Sequence, residues 1–117
     1  MKMIRSLAVA ILVAALLTGC SAHPGAGNWQ LKADSQSSVS RVTVHFEGRA
    51  ELFDATSGAE THHCFWGGVS NSEIQLDCTT PEDTETRVRF KLRVTGPDQA
   101  QLLKEGRLIG EYQRVAE

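Results

Sequence analysis

The sequence lacks a strong excess of charge of either sign and any long apolar run. Lysine and arginine number 12 against 14 aspartate and glutamate, a net charge of −2, which argues against nucleic acid and anionic lipid as partners. The longest apolar run, residues 7–17, has 11 residues, whereas a membrane-spanning helix needs about 20. Internal repeats and long low-complexity segments are also missing.

Catalytic signatures are lacking too. Several serines cluster in a turn-like stretch over residues 35–40, without the glycine-flanked motif of a nucleophile elbow. Glu82 and Asp83 follow Pro81 and have the setting of solvated loop residues, whereas a glycosidase pair needs an apolar pocket. We therefore expect that the protein is not an enzyme.

What is present at the N-terminus is typical of an export signal. Lys2 and Arg5 precede the apolar run, and the small residues Thr18 and Gly19 follow it. A basic start, a short apolar core and a small-residue cleavage site are the three parts of a signal peptide. The pattern predicts a signal-peptide helix within residues 1–19.

The stretch Leu17-Thr18-Gly19-Cys20 resembles the lipobox of bacterial lipoproteins. The resemblance implies cleavage before Cys20 and lipidation of its sulfur and amino group. Several acyl chains on one residue make a durable anchor, because each buried methylene contributes about 0.8 kcal/mol. Ser21 stands where the family's inner-membrane proteins carry aspartate, so we expect the outer membrane, with the domain facing the periplasm.

Removing 19 of the 117 residues leaves 98, the size of one domain, with a net charge of −4 once Lys2 and Arg5 are gone. Residues 20–28 hold the lipidated cysteine and a small, polar segment with the composition of a flexible tether. Residues 29–117 form the predicted domain.

Within that domain, apolar residues recur at a spacing of two, which predicts half-buried strands. We expect an all-β fold of about eight short strands, either a small antiparallel β-barrel or a two-sheet sandwich. The inward-facing sets begin with Trp29, Leu31 and Ala33, then Val42, Val44 and Phe46. Later sets are His62, Cys64 and Trp66, then Ile74, Leu76 and Cys78, then Val88, Phe90, Leu92 and Val94, and finally Ala100, Leu102, Leu108 and Tyr112.

Two hairpin registers can be predicted. With Cys20 lipidated, Cys64 and Cys78 remain as a pair, which in an oxidising compartment indicates a disulfide. Placing Cys64 opposite Cys78 is consistent with the inward direction of both residues on their strands. Trp66 then faces Leu76, and Gly68 faces Ile74. A three-residue turn at Lys104-Glu105-Gly106 would pair Leu102 with Leu108.

A basic stripe occupies alternate positions of one strand: Arg87, Arg89, Lys91 and Arg93. It could bind an acidic partner, a phosphate headgroup or the sugar phosphates of lipopolysaccharide. The alternative is a paired, solvated face, with Arg87 opposite Asp77 and Lys91 opposite Glu73.

Histidines 62 and 63 next to Cys64, with His45 elsewhere, invite comparison with zinc and copper sites. Adjacent strand residues point to opposite faces, and the disulfide uses Cys64. We therefore expect no metal site and no cofactor.

Gly27-Asn28-Trp29 at the first strand, with Arg114 on the last, resembles the lipocalin pattern of a tryptophan packed under an arginine. The resemblance implies a barrel with a mouth for a small apolar ligand, and Trp29 with Arg114 would be a structural latch.

Ser57-Gly58-Ala59, followed by Phe65-Trp66-Gly67-Gly68, resembles part of the motif of membrane-bound inhibitors of c-type lysozyme, without the motif's tyrosine and lysine. The implied contact is the loop that contains Ser57 and Gly58.

The sequence therefore predicts a non-enzymatic outer-membrane lipoprotein. It would be anchored through Cys20 and would bind a protein partner of the cell envelope. The alternatives are an inhibitor of a hydrolase such as lysozyme and a lipocalin-like carrier.

Overall fold

The computed structural model describes residues 22–116, and these residues form eight antiparallel β-strands. In chain order the strands are β1 (Gly27–Leu31), β2 (Val39–Val44), β3 (Arg49–Asp54), β4 (Glu60–Gly68), β5 (Glu73–Thr80), β6 (Asp83–Gly96), β7 (Gln99–Lys104) and β8 (Arg107–Val115). The prediction of an all-β fold of about eight strands is confirmed. Within the described residues, no helix has the length and apolarity that crossing a membrane requires.

The strands form a closed up-and-down barrel, which decides between the barrel and the sandwich. Each strand pairs with the next along the chain, and β1 also pairs with β8, where Trp29 faces Arg114. Within residues 22–116, each strand therefore has a paired neighbour on both sides, which avoids the exposed edges at which sheets aggregate.

The barrel interior is filled by its own side chains. Because strand residues alternate between faces, each strand contributes every second residue to the core. The largest side chains without solvent exposure are Trp29, Tyr112, Leu52, Ile74, Leu76, Leu92 and Leu102. The Tyr112 hydroxyl donates a hydrogen bond to the Val39 carbonyl over 2.7 Å, and burial raises the pKa of this phenol. An eight-stranded barrel has an interior of about the width that side chains can fill.

The barrel has two ends with different contents. The N-terminal end carries residues 22–26 and the turns 45–48, 69–72 and 97–98. The opposite end carries the segment 32–38 and the turns 55–59, 81–82 and 105–106. The turn with Ser57 and Gly58 therefore lies at the opposite end from residues 22–26.

The predicted register of β4 and β5 is confirmed. Cys64 faces Cys78 and is joined to it by a disulfide, and Trp66 faces Leu76. Gly68 faces Ile74, and strand pairing resumes at Glu73, which leaves residues 69–72 as the connection.

The predicted register of β7 and β8 is wrong. The turn has two residues, Glu105 and Gly106, both with positive φ, which is the geometry of a tight hairpin turn. Leu108 therefore pairs with Leu103, and an irregularity between Leu102 and Leu103 changes the phase. As a result, Leu108 is 52% exposed instead of facing the core.

The predicted inward positions of Phe46 and Ala33 are also wrong. β2 ends at Val44 and β1 ends at Leu31, so both residues lie beyond the alternation of their strands. Phe46 is in the β2–β3 turn and is 81% exposed, and Ala33 is exposed in the following segment. Alternation holds only while a strand remains paired.

Of the residues that composition assigned to the tether, the structure places 23–26 against the barrel and 27 and 28 in β1. Gly25 is buried, and its carbonyl accepts a hydrogen bond from the Trp29 indole over 2.9 Å. His23 donates through Nε2 to the Ser70 carbonyl over 2.7 Å, while its Nδ1 accepts the Gly25 amide. These residues cover the N-terminal end of the barrel.

Candidate functional site

The basic stripe lies along the outward face of β6, as the alternation predicts. Its register with β5 differs from the predicted one by two residues, since Asp77 faces Arg89 and Glu73 faces Arg93. Between the pairs Cys78–Val88 and Thr80–Asp83, β6 carries three residues more than β5, and this irregularity produces the shift. Turn length from sequence alone therefore gave the wrong cross-strand partners.

The expected ion pairs nevertheless form, some of them diagonally. Arg87 reaches Asp77 over 3.1 Å, and Glu73 lies 2.7 Å from Arg93 and 3.9 Å from Lys91. The hydrogen bond from Arg93 holds the pKa of the Glu73 carboxyl below its usual range. Diagonal cross-strand neighbours are close enough for long side chains to meet.

Arg89 is different from the rest of the stripe. Among residues 22–116, it is the stripe member without a carboxylate oxygen within 4 Å, although Asp77 is its facing residue. Asp77 directs one oxygen to Arg87, and its other oxygen is buried without a hydrogen bond in this part of the chain. The two carboxylates of β5 therefore do not neutralise four cations, and an excess of positive charge remains.

A groove runs beside Arg89 between β6 and the β7–β8 turn, and we call it the β6 groove. It encloses about 280 Å³. Its lining residues are Gln75, Arg89, Phe90, Lys91, Arg93, Leu103, Glu105 and Gly106. A second depression continues it past Arg87 and Lys104. The groove thus combines several cations with one acid, Glu105, and with two apolar lining residues, Phe90 and Leu103.

The turn that carries Ser57 and Gly58 is exposed and internally ordered. One Asp54 carboxylate oxygen accepts hydrogen bonds from the Ser57 amide over 2.9 Å and from the Ser57 hydroxyl over 3.0 Å. These bonds lower the pKa of Asp54. Gly58 has a φ of 74°, a conformation that glycine adopts without strain. The structure separates this turn from the lipocalin-like pair, which lies at the other end.

Trp29 and Arg114 come together at the N-terminal end. The guanidinium stacks on the indole and donates to the carbonyls of Ala26 and Pro24 over 2.7 and 2.6 Å. A Cβ at Gly27, whose φ is 131°, would lie 2.7 Å from this guanidinium. Glycine therefore leaves room for the arginine.

Two of the residues first considered for a metal, His62 and Cys64, do not converge with His63. His62 points inward and stacks edge-on with Phe90, while the neighbouring His63 points outward. Burial, with the nearby Lys104 cation, lowers the pKa of His62. Cys64 is held in the disulfide.

A set that includes His63 does converge on the outward face of β3 and β4, and sequence reasoning missed its two glutamates. Glu51, Glu60 and His63 each place a ligand atom within 4.8 Å of the others. Glu60 and His63 are three residues apart, a spacing that regular alternation assigns to opposite faces. A bulge between the two strands changes this parity.

The predicted lipidation site, Cys20, and the signal peptide lie outside the described residues. Comparisons of the chain with protein-family models, curated proteins and solved structures give no match.

Proposed function

We propose that this protein is a lipid-anchored outer-membrane lipoprotein with a non-enzymatic barrel. The barrel would bind an acidic protein partner of the periplasm through the β6 groove. The observation that carries the proposal is the cation of Arg89, which has no carboxylate within 4 Å among residues 22–116, beside a groove lined by Lys91 and Arg93. Cationic grooves raise the encounter rate with acidic surfaces and disfavour basic ones.

The anchor would set the orientation of the barrel. His23 is fixed to Ser70 at the N-terminal end, and Cys20 precedes His23 by three residues, a reach of about 10 Å. The N-terminal end would thus face the bilayer, where the exposed Phe46 and Val69 suit the interface. The Ser57 turn would then face away from the membrane.

The anchor has a direct test. Mass spectrometry of the N-terminal peptide of protein purified from membranes should find an acylated Cys20. A Cys20→Ser variant should leave the membrane fraction. An unmodified Cys20 on a processed or unprocessed chain would refute the lipoprotein assignment without affecting the groove.

The partner can be tested in whole cells. A photo-crosslinking residue replaces Gln75 in the groove, and the control replaces Gln113, an exposed glutamine on β8. We expect a protein adduct at position 75 that Arg89→Glu abolishes, and no such adduct at 113. Equal adducts at both positions, or adducts with lipid alone, would contradict the proposal.

A second candidate function is inhibition of an attacking hydrolase such as lysozyme. The observation that favours it is the ordered, protruding turn around Ser57, since a preorganised loop loses little entropy on entering a cleft. The purified protein should then slow lysozyme, and Asp54→Ala should weaken the effect by loosening the turn. An unchanged lysis rate with the unmodified protein would exclude this function.

The filled interior favours both of these functions over a carrier. Trp29, Leu52 and Tyr112 have no exposure and occupy the space that a small apolar ligand would need. We therefore do not propose a lipocalin-like carrier.

A further inference from the structure

The outward face of β3 and β4, together with the turn after β2, carries two imidazoles and two carboxylates in one cluster. Ligand atoms of Glu51, Glu60 and His63 all lie within 4.8 Å of one another. His45 adds its ring, with Nε2 2.8 Å from a Glu51 carboxylate oxygen. Glu51 lies on β3, Glu60 and His63 lie on β4, and His45 directly follows β2, so the barrel itself holds the cluster together.

Strand pairing explains the convergence. Glu51 and His63 face each other across β3 and β4. Leu52 pairs with His62, whereas Phe53 pairs with Glu60, so Thr61 is the extra residue of a bulge. The bulge turns Glu60 onto the face of His63, and re-aiming a side chain is a common role of bulges.

His45 is also fixed in place. Its backbone amide donates to the Arg49 carbonyl over 2.8 Å, and its carbonyl accepts the Trp66 indole over 2.6 Å. Because the Glu51 carboxylate can only accept, the His45 Nε2–H donates to it. A hydrogen bond of this kind orients a carboxylate toward a metal.

The carboxylates are not neutralised by lysine or arginine. Among residues 22–116, the ion pairs of Glu51 and Glu60 are both with imidazoles, His45 and His63. The nearby Arg49 is instead paired with Glu47. Carboxylate oxygens therefore lie beside imidazole nitrogens, a donor set that suits a divalent cation.

We propose that this cluster binds Zn²⁺, with Glu51, Glu60 and His63 as ligands and His45 orienting Glu51. Imidazole nitrogen and carboxylate oxygen are zinc donors, and the disulfide removes both thiols of the domain from competition. Donor atoms around tetrahedral zinc lie about 3.4 Å apart. Glu60 and His63 are 41% and 45% exposed, so their side chains can close the remaining distance. The proposal does not depend on the β6 groove.

The test is titration of the purified protein with Zn²⁺ alone, followed by calorimetry and by the thermal midpoint. We expect one Zn²⁺ per chain and a midpoint that rises with Zn²⁺ concentration, because binding to the folded state stabilises it. His63→Gln and Glu51→Gln should each weaken affinity by at least about tenfold, a loss that even outer-shell changes can cause.

The matched control is His62→Gln, the same substitution one residue away on the opposite face. It should keep the Zn²⁺ affinity. Glu111→Gln on β8 is a second control if His62→Gln fails to fold, and it removes a carboxylate remote from the cluster. Absence of saturable binding, or equal binding by the unmodified protein and His63→Gln, would overturn the proposal.

Discussion

The guanidinium carbon of Arg114 lies 4.3 Å from the centroid of the Trp29 ring. The same guanidinium donates hydrogen bonds to carbonyls of residues 24 and 26 and to the Pro97 carbonyl over 3.1 Å. One side chain of the last strand thus joins the first strand, the segment that precedes it and the β6–β7 turn. This contact lies where the first and last strands pair and close the barrel.

Loss of this contact should destabilise the whole barrel. Arg114→Gln removes a cation–π interaction worth about 0.5 to 2 kcal/mol together with charged hydrogen bonds. We expect the free energy of unfolding in urea to fall by about 2 to 4 kcal/mol. Arg114→Lys should recover less than half of this, since an ammonium cannot reproduce the forked geometry. The exposed Arg107→Gln serves as the control, and an equal loss in that variant would contradict a specific role for Arg114.

The disulfide should contribute a large fraction of the free energy of unfolding of a domain this small. It joins residues 14 apart, and closing a loop of about 15 residues stabilises by about 3 kcal/mol. Replacing both cysteines with alanine should therefore lower the melting temperature by about 12 °C or more. A reductant should have the same effect on the unmodified protein and none on the variant. An unchanged melting temperature after verified reduction would refute this prediction.

Stability should fall as the pH drops below 6.5. Burial against Phe90 and the charge of Lys104 lower the pKa of His62 in the folded state from 6.5, while Glu82 acts in the opposite direction. The unfolded chain then binds more protons than the folded one below pH 6.5. The contribution of His62 to the free energy of unfolding is therefore fully present above this pH and is lost as the pH falls toward the lowered pKa. Urea unfolding between pH 5 and 7.5 measures the slope, which should be smaller in His62→Gln. Identical slopes would rule out His62 as its source.

Removing the Glu73 carboxylate, which pairs with two cations of the basic stripe, should strengthen the binding of acidic ligands in the β6 groove. Glu73→Gln frees Lys91 and Arg93, so a labelled poly-glutamate peptide should bind several-fold more tightly, whereas Arg89→Glu should weaken binding. Fluorescence anisotropy at two salt concentrations measures the effect, which should shrink at high salt. Glu111→Gln makes the same charge change on β8. An equal gain in that variant would show that only net charge matters.

Local chemistry in the sequence was enough to predict the all-β class, the number of strands and the β4–β5 register. Alternation places Cys64 and Cys78 on inward faces, and a disulfide requires them to be neighbours, so the two constraints agree on one register. The basic stripe is likewise visible, because outward residues of one strand share a face without reference to any other strand.

Bulges and chain closure were decided only by the tertiary structure. A single extra residue reverses the parity of a strand, as Thr61 does for Glu60, and nothing in the local pattern marks where the ladder absorbs it. The shifted partners of β6, and the shifted partners of β8 after the two-residue turn, likewise come from irregularities in the strand pairing. Closure through β1 and β8 depends on residues far apart in sequence. The sequence by itself determined which residues face the core along uninterrupted stretches of a strand, and the cysteine pair determined one register. The bulges and the other registers, which build the β6 groove and the cluster at His63, are properties of the assembled barrel.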